Sequence, residues 1–429
     1  MPRRWPLHWR ILFGLVVGVV AGTVANLTAG GAPWLTSTVD YVVEPFGRIF
    51  LRLIFMVVLP LVFSALVLGV AGLGDIGRLG RIGVKTFAYT ILATGLSVAL
   101  GLTLVNLIRP GAGLPEETRA ALSANASRGP APVVAADAPV GLQAVLAVVP
   151  DNPLRAAVNG DMLAVMFFSL MLGLGLAMAP RETVAPLIAV LEGLYVVVME
   201  VIDLAMRLAP YGVACLLFTM TARLGAGVLR QLGSYVLVVL AGLAIHQFVT
   251  YALIIRFLGG ISPRLFFERI RSVMITAFST SSSNVTLPLA LTVTERNLGV
   301  PREIANFVLT LGSTANQNGT ALFEGVTVLF LAQFYGVDLS LSSQLVVVLM
   351  SILAGVGTAG VPGGSLPLIV PVLVTVGVPA EGIGIIFGVD RLLDMCRTVL
   401  NVTGDITAAV VVARSENALE VPVTVPEVG

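Results

Sequence analysis

Near the end of the chain, seven residues with chemistry to offer recur at helical spacing: Asp390, Arg391, Asp394, Arg397, Thr398, Asn401 and Asp405. At about 100° per residue they fall within an arc of roughly 120°, a single polar stripe with Arg391 at its edge, on a helix expected from Gly382 to Ala413. The planar fork of Arg397 suits a carboxylate. Asp394 suits an ammonium group, and Asp405 with nearby carbonyl oxygens suits a hard cation. A structural salt bridge between Asp394 and Arg397 is the plain alternative for one pair of these residues.

The elements that must carry this stripe lie in lipid. Of 429 residues, 57% are hydrophobic and 11% charged, with a mean hydropathy of +0.97, whereas soluble domains carry about 25% charged residues. Apolar runs near the ~20 residues needed to cross a bilayer extend from Ile11 to Leu27, Ile49 to Leu73, Val84 to Leu107, Met162 to Met178, Pro186 to Leu217 and Val228 to Leu258. Ionisable groups at mid-membrane each cost at least ~2.5 to 3.5 kcal/mol on insertion scales. Three carboxylates and two guanidiniums on one stripe therefore exceed what packing requires and point to function.

A net charge of +1 gives no electrostatic case for nucleic acid. The basic residues serve instead to orient the chain, because cytoplasmic loops are rich in Lys and Arg. Arg3, Arg4 and Arg10 precede the first run, Arg78, Arg81 and Lys85 follow the second, Arg181 follows the fourth, and Arg256, Arg264, Arg269 and Arg271 follow the sixth. No Lys or Arg lies between Ile11 and Glu44. An even number of spans then places both termini in the cytoplasm. The opening run is longer than the roughly 7 to 15 residues of a signal-peptide core, so an uncleaved first helix is expected. Cys215 and Cys396, far apart in apolar surroundings, are expected to be packing residues.

After Gly260 the apolar segments shorten. Breaks at "STSSSNVTLPL" (Ser279 to Leu289) and "GVGTAGVPGGSLPL" (Gly355 to Leu368) each divide a stretch into halves too short to cross alone, which predicts two re-entrant hairpins. Glycine-rich, non-helical backbone at membrane depth is tolerated only where protein or a watery cavity satisfies it. The order repeats: "TLPL" precedes "NQNGT" (Asn316 to Thr320) as "SLPL" precedes "NVTGD" (Asn401 to Asp405), a pattern that points to a transporter site at a repeat interface.

At "NVTGDITAAVVVARSE", "VGTAGVPGG" and "TSSSNVTLP" the chain resembles the dicarboxylate/amino acid:cation symporter family, the glutamate transporter family that includes archaeal aspartate transporters and mammalian excitatory amino acid transporters. The resemblance covers nearly the whole chain. It implies an all-α polytopic membrane protein with eight transmembrane helices plus two opposed re-entrant helical hairpins in inverted repeats, assembled as a homotrimer, with an elevator-like transport domain sliding on a scaffold. Scaffold helices fall in 1–77 and 161–225, separated by the third helix (78–109) and an external loop region (110–160). The transport domain spans 226–413, with hairpin 1 at about 262–295, helix 7 at 301–333, hairpin 2 at 340–378 and helix 8 at 380–413; 414–429 form a cytoplasmic tail.

The resemblance also assigns a substrate site: Asp394 for the amino group, Arg397 for the side-chain carboxylate, Thr398 and Asn401 for main-chain groups, Thr320 beside that carboxylate, Ser282 and Ser283 from the first hairpin, and backbone at Val361 and Gly364 from the second. One sodium site takes Asp405 with carbonyls of Gly312, Asn316 and Asn401; another takes carbonyls of Thr314, Gly355, Val356 and Thr358. A third needs an aspartate where this chain has Asn318, with Thr90 and Thr94 as partners and Ala93 where a hydroxyl is expected. Ser281 and Met395 stand where relatives carry an arginine, leaving Arg391, next to Asp390, to supply that charge. Glu324 matches a glutamate that mammalian relatives associate with proton movement. These features imply import of an acidic amino acid with Na⁺ and a candidate H⁺, with no further cofactor. C4-dicarboxylate or neutral amino acid carriage and an ion channel remain alternatives. Catalysis is the least supported reading, because His8 and His246 are isolated from any spaced nucleophile.

Overall fold

The apolar runs fold as helices, since a backbone in hydrocarbon must satisfy its own hydrogen bonds. The described residues of the computed structural model are 7–71, 76–113, 149–225, 227–357 and 365–420, and they contain no strand. Most of the expected external loop, 114–148, the end of the tail, 421–429, and the site residues Thr358, Val361 and Gly364 lie outside them.

Helix α1 (Leu7–Ala29) is followed by α2 (Pro33–Thr38), a π-helical turn at Val39–Val43, α3 (Glu44–Phe55) and α4 (Val58–Ala71). Next come α5 (Ile76–Ile108), α6 (Pro153–Asn159), α7 (Met162–Met178) and α8 (Arg181–Leu224). Helix α9 (Gly227–Ile245) runs on through π-helical turns at His246–Thr250 and Ile255–Gly259, which flank the short α10 (Tyr251–Ile254). Among the described residues, five stretches are long and apolar enough to cross a membrane: Trp9–Ala29, Pro33–Ala71, Arg81–Ile108, Gly227–Gly259 and Ala380–Ser415. The 44 residues of α8 exceed the expected run of Pro186 to Leu217 at both ends. At 1.5 Å per residue they span about 66 Å, twice a hydrocarbon core.

The second half is built from shorter pieces: α11 (Pro263–Arg269), α12 (Arg271–Thr280), α13 (Ser283–Arg296), α14 (Arg302–Ala315), α15 (Asn318–Tyr335), α16 (Leu341–Gly357), α17 (Leu366–Thr375) and α18 (Ile383–Ser415), the last entered through a 3-10 turn at Ala380–Gly382. Helices α12 and α13 have 10 and 14 residues, about 15 and 21 Å, short of a ~30 Å core. They pack against each other, as do α16 and α17.

Two helix groups frame the interior. Helix α1 lies along α8, α3 also packs on α8, and α4 packs on α7; α5 instead lies along α15, and α18 packs on α12, α13, α14 and α15. Asn318 to Ala332 of α15 are all buried, as expected of a helix apolar around its circumference and enclosed by others. Both cysteines are free and half-buried. At the end of α18, Lys85 Nζ donates to the Ser415 carbonyl at 3.2 Å and to Glu416, and Arg81 pairs with Glu416 at 3.2 Å. The hydrogen bond from Lys85 holds the Glu416 carboxyl below its ordinary pKa.

The α1–α8 contact depends on Gly14, Gly18 and Gly22, which let the backbones meet. A Cβ on Gly18 would lie 2.9 Å from Ala214 Cα and closer still to the Ala214 carbonyl oxygen. Gly18→Leu should separate the helices and cost about 1–3 kcal/mol by overpacking. The expected outcome is a lower melting temperature of the detergent-purified protein, with Gly193→Leu, at an open position on α8, as the silent control.

Candidate substrate and cation site

The polar stripe faces inward. Asp390, Asp394, Arg397, Thr398, Asn401 and Asp405 are all buried on α18, and Arg397 is only 1% exposed. Burial of a guanidinium is tolerable only with partners. Arg397 Nη1 donates to Asp390 Oδ1 at 3.0 Å, Nη2 donates to Asp394 Oδ1 at 2.7 Å, and its Cζ lies 3.9 Å from the Phe323 ring centroid, a cation–π contact from α15. Its Nε has no hydrogen-bond partner among the described residues. Arg391, at the stripe's edge, reaches the other Asp394 oxygen at 3.5 Å. Two guanidiniums and two carboxylates thus balance within two turns. Thr398 turns its hydroxyl back to the Asp394 carbonyl at 2.8 Å.

Facing the stripe is the junction of α14 and α15. The sequence suggests an interruption running from Asn316 to Thr320. The structure confines it to Asn316 and Gln317, whose backbones leave the helix at φ −108°, ψ 70° and φ −102°, ψ 58°. Asn318, Gly319 and Thr320 already form the first turn of α15. The break is stitched to α18: Asn401 Nδ2 donates to Gln317 Oε1 and to Thr320 Oγ1 (3.2 Å), and Gly319 N–H donates to Asn401 Oδ1 at 2.7 Å. One turn further along α18, Asn316 Nδ2 donates to Asp405 Oδ1 at 2.9 Å, while Asn316 Oδ1 is buried without a partner among the described residues. Gly312 lets Asp405 approach, since a Cβ there would overlap the carboxylate.

Asn318 sits in a closed chain of neutral bonds. Thr94 Oγ1 donates to its Oδ1 at 2.6 Å, its Nδ2 donates to the Tyr251 hydroxyl at 2.8 Å, and Tyr251 donates to the Leu400 carbonyl at 3.2 Å. Ser97 holds its backbone carbonyl at 2.9 Å. Thr90 is buried one turn before Thr94 on α5. Glu324, two turns along α15, is fully buried, and neither carboxyl oxygen has a hydrogen-bond partner among the described residues.

The ends of α12 and α16 and the start of α13 carry further residues of the expected site. Ser281 adopts the left-handed conformation (φ 50°), Ser282 caps α13 by accepting from Val285 N–H at 3.3 Å, and Ser283 is buried. Gly355, near the end of α16, lies against the Gln317 carbonyl, and a Cβ there would be 3.7 Å from it. Val356 follows in the same helix, whereas Thr314 is exposed at the end of α14. The structure thus joins Asp390, Asp394, Arg397, Asn401, Thr320, Asn316, Gly312 and Asp405 in one buried region. Sequence reasoning missed Gln317 as a partner of Asn401, and also Tyr251, Ser97 and Phe323. The run His246–Gln247 followed by Tyr251 in an otherwise apolar span was the available signal for Tyr251, and two π-helical turns, which favour functional positions, bracket that tyrosine.

A buried, charged site between a broken helix and a polar stripe, inside an integral membrane protein, is the arrangement of a secondary transporter. The chain matches the sodium:dicarboxylate symporter family over residues 7–415 and belongs to it. It is 35% identical over 387 residues to the proton/glutamate-aspartate symporter of Escherichia coli (strain K12), covering 90% of this chain and 87% of the relative. It is 37% identical over 373 residues to the proton/sodium-glutamate symport protein of Bacillus subtilis (strain 168), covering 87% and 86%. The C4-dicarboxylate transport protein of the same organism is 30% identical over 381 residues, covering 88% of each chain.

Gly319 marks where α15 touches α18 most tightly, for a Cβ would stand 2.7 Å from the Arg397 carbonyl oxygen and 3.1 Å from Asn401 Oδ1. Gly319→Ala should push α15 off the stripe and cost about 1–3 kcal/mol by overpacking. A lower melting temperature of the detergent-purified variant checks this, and a wild-type value would contradict it.

Proposed function

We propose that this chain is a secondary active symporter of the cytoplasmic membrane that imports aspartate or glutamate together with Na⁺, with Glu324 as a site for H⁺. The observation that carries this is the pairing of Arg397 and Asp394 at 2.7 Å in a buried setting. An acidic amino acid brings a carboxylate for the guanidinium and an ammonium for the aspartate. As substrate enters, its side-chain carboxylate replaces Asp394 on Arg397 and its ammonium takes the freed Asp394, so these four charges stay paired, while the main-chain carboxylate is left to neutral donors. A plain dicarboxylate would instead set a second carboxylate against Asp394, where like charges repel. A neutral amino acid would leave Arg397 without its incoming partner.

Thr398, Asn401, Thr320, Ser282 and Ser283 complete the substrate site, with backbone at Val361 and Gly364 closing it. Asp405, with carbonyls of Gly312, Asn316 and Asn401, forms one Na⁺ site, and carbonyls of Thr314, Gly355, Val356 and Thr358 form a second. The chain from Thr94 through Asn318 to Tyr251 is already satisfied without a charge. This supports two sodium sites rather than three, with the proton as a further driving ion. Eight transmembrane helices and two re-entrant hairpins accommodate the short α12–α13 and α16–α17 pairs. The helix groups fit a scaffold of 1–77 and 161–225 and a transport domain of 78–109 and 226–413, moving as an elevator within a homotrimer whose termini are cytoplasmic.

Proteoliposomes with separately imposed Na⁺ and H⁺ gradients test the proposal. Aspartate or glutamate should accumulate while malate and serine stay outside; uptake of malate without aspartate would establish the dicarboxylate alternative, and a substrate-independent unitary conductance would establish a channel. Asp394→Asn, which removes the ammonium partner and leaves Arg397 short of one carboxylate, should lower aspartate uptake roughly a hundredfold or more. Glu324→Gln should abolish the proton-driven component and keep the sodium-driven one. Unchanged dependence on the H⁺ gradient would remove Glu324 from the mechanism.

A further inference from the structure

A cavity of about 420 Å³ lies away from the stripe, between α1, α2, α3 and α8 on one side and the entry to α18 on the other. Its lining carries four charges. Arg48 and Arg223 both pair with Glu44 on the α3–α8 side, and Arg223 also reaches Asp40, which with Arg52 belongs to the adjoining cleft. Opposite them, on the 3-10 turn before α18, Glu381 is half-buried and has no ion-pair partner among the described residues. The floor is apolar, with Leu51, Leu217 and Ile385.

Two further observations set the environment. The cavity gathers helix ends, those of α1 and α8 and the starts of α2 and α18, and that is where charge and lipid headgroups share a level. Trp34 and Tyr41 beside it are 63% and 82% exposed, and such aromatics mark the membrane–water interface. The lining charges sum to zero: two guanidiniums share Glu44 on one wall, and on the other Glu381 has no ion-pair partner among the described residues. Guanidinium N–H groups left over from the ion pairs with Glu44 suit phosphate oxygens. Glu381 suits an ammonium, and the floor suits the first methylenes of an acyl chain.

We infer that this cavity is a binding site for a phospholipid whose headgroup carries both a phosphate and an ammonium: phosphate against Arg48 and Arg223, ammonium against Glu381. A headgroup with net negative charge leaves Glu381 unpaired and is disfavoured. The site is independent of the transport cargo. Because its walls belong to different helix groups, an occupying lipid bridges them.

Native mass spectrometry of the full-length protein, purified in mild detergent and offered equal phosphatidylethanolamine and phosphatidylglycerol, tests this. Wild type should retain phosphatidylethanolamine preferentially. Glu381→Gln should lower the ratio of the two retained lipids about tenfold, the worth of one charge-assisted contact. Ile385→Trp, which fills the floor from the opposite wall, should reduce retention of both and supplies a second test if the first variant misfolds. Equal retention by wild type, or a ratio unchanged in Glu381→Gln with retention unchanged in Ile385→Trp, would overturn the assignment.

Discussion

One buried guanidinium organises this molecule. Arg397 cannot lose its proton and cannot reach water, so the chain must supply opposite charge, and Asp390 and Asp394 do so from the same face of the same helix. That requirement fixes the rotation of α18, because turning the stripe outward would put five charges into lipid. It also fixes the neighbours. Phe323 covers the guanidinium, and Gln317, Thr320 and the Gly319 N–H engage Asn401 one turn on, so α15 is positioned by the same constraint. The surrounding helices then enclose a polar interior with the apolar surface that a bilayer demands.

Much of this was legible in the sequence because membrane folding makes polarity informative. A stripe of seven polar residues on one helix could only face inward, and the inward face is what the structure shows for all but Arg391, whose position at the edge was also readable from its angle. Short apolar pieces with serine- and glycine-rich breaks mapped onto α12–α13 and α16–α17. The length of the break near Asn316 was less legible. Glycine and asparagine normally argue against helix, but here the Gly319 N–H and the Asn318 side chain find partners on α18, α5 and α10 that make a helical first turn the satisfied state. Ser97 was illegible for a similar reason, since nothing local in its span announces a contact made across 221 residues of chain. For Tyr251 the polar run His246–Gln247 marked the span, but not the partner.

The chain around Asn318 shows how one substitution can remove a need for charge without leaving a hole. An aspartate in that place would present two acceptors and a negative charge in a region Asp405 already occupies. The amide presents one acceptor to Thr94 and one donor to Tyr251, so the same volume is filled and every polar atom answered.

The two-residue break between α14 and α15 has a further electrostatic effect. The peptide dipoles of α14 sum to a partial negative charge at its C-terminal end, and those of α15 to a partial positive charge at its N-terminal end. The break sets these opposite poles side by side, the negative one beside Asp405 and Gly312 and the positive one at Gly319, facing Asn401 and Arg397. A cation and an anionic group can therefore be stabilised a few residues apart by the two ends of one interrupted rod.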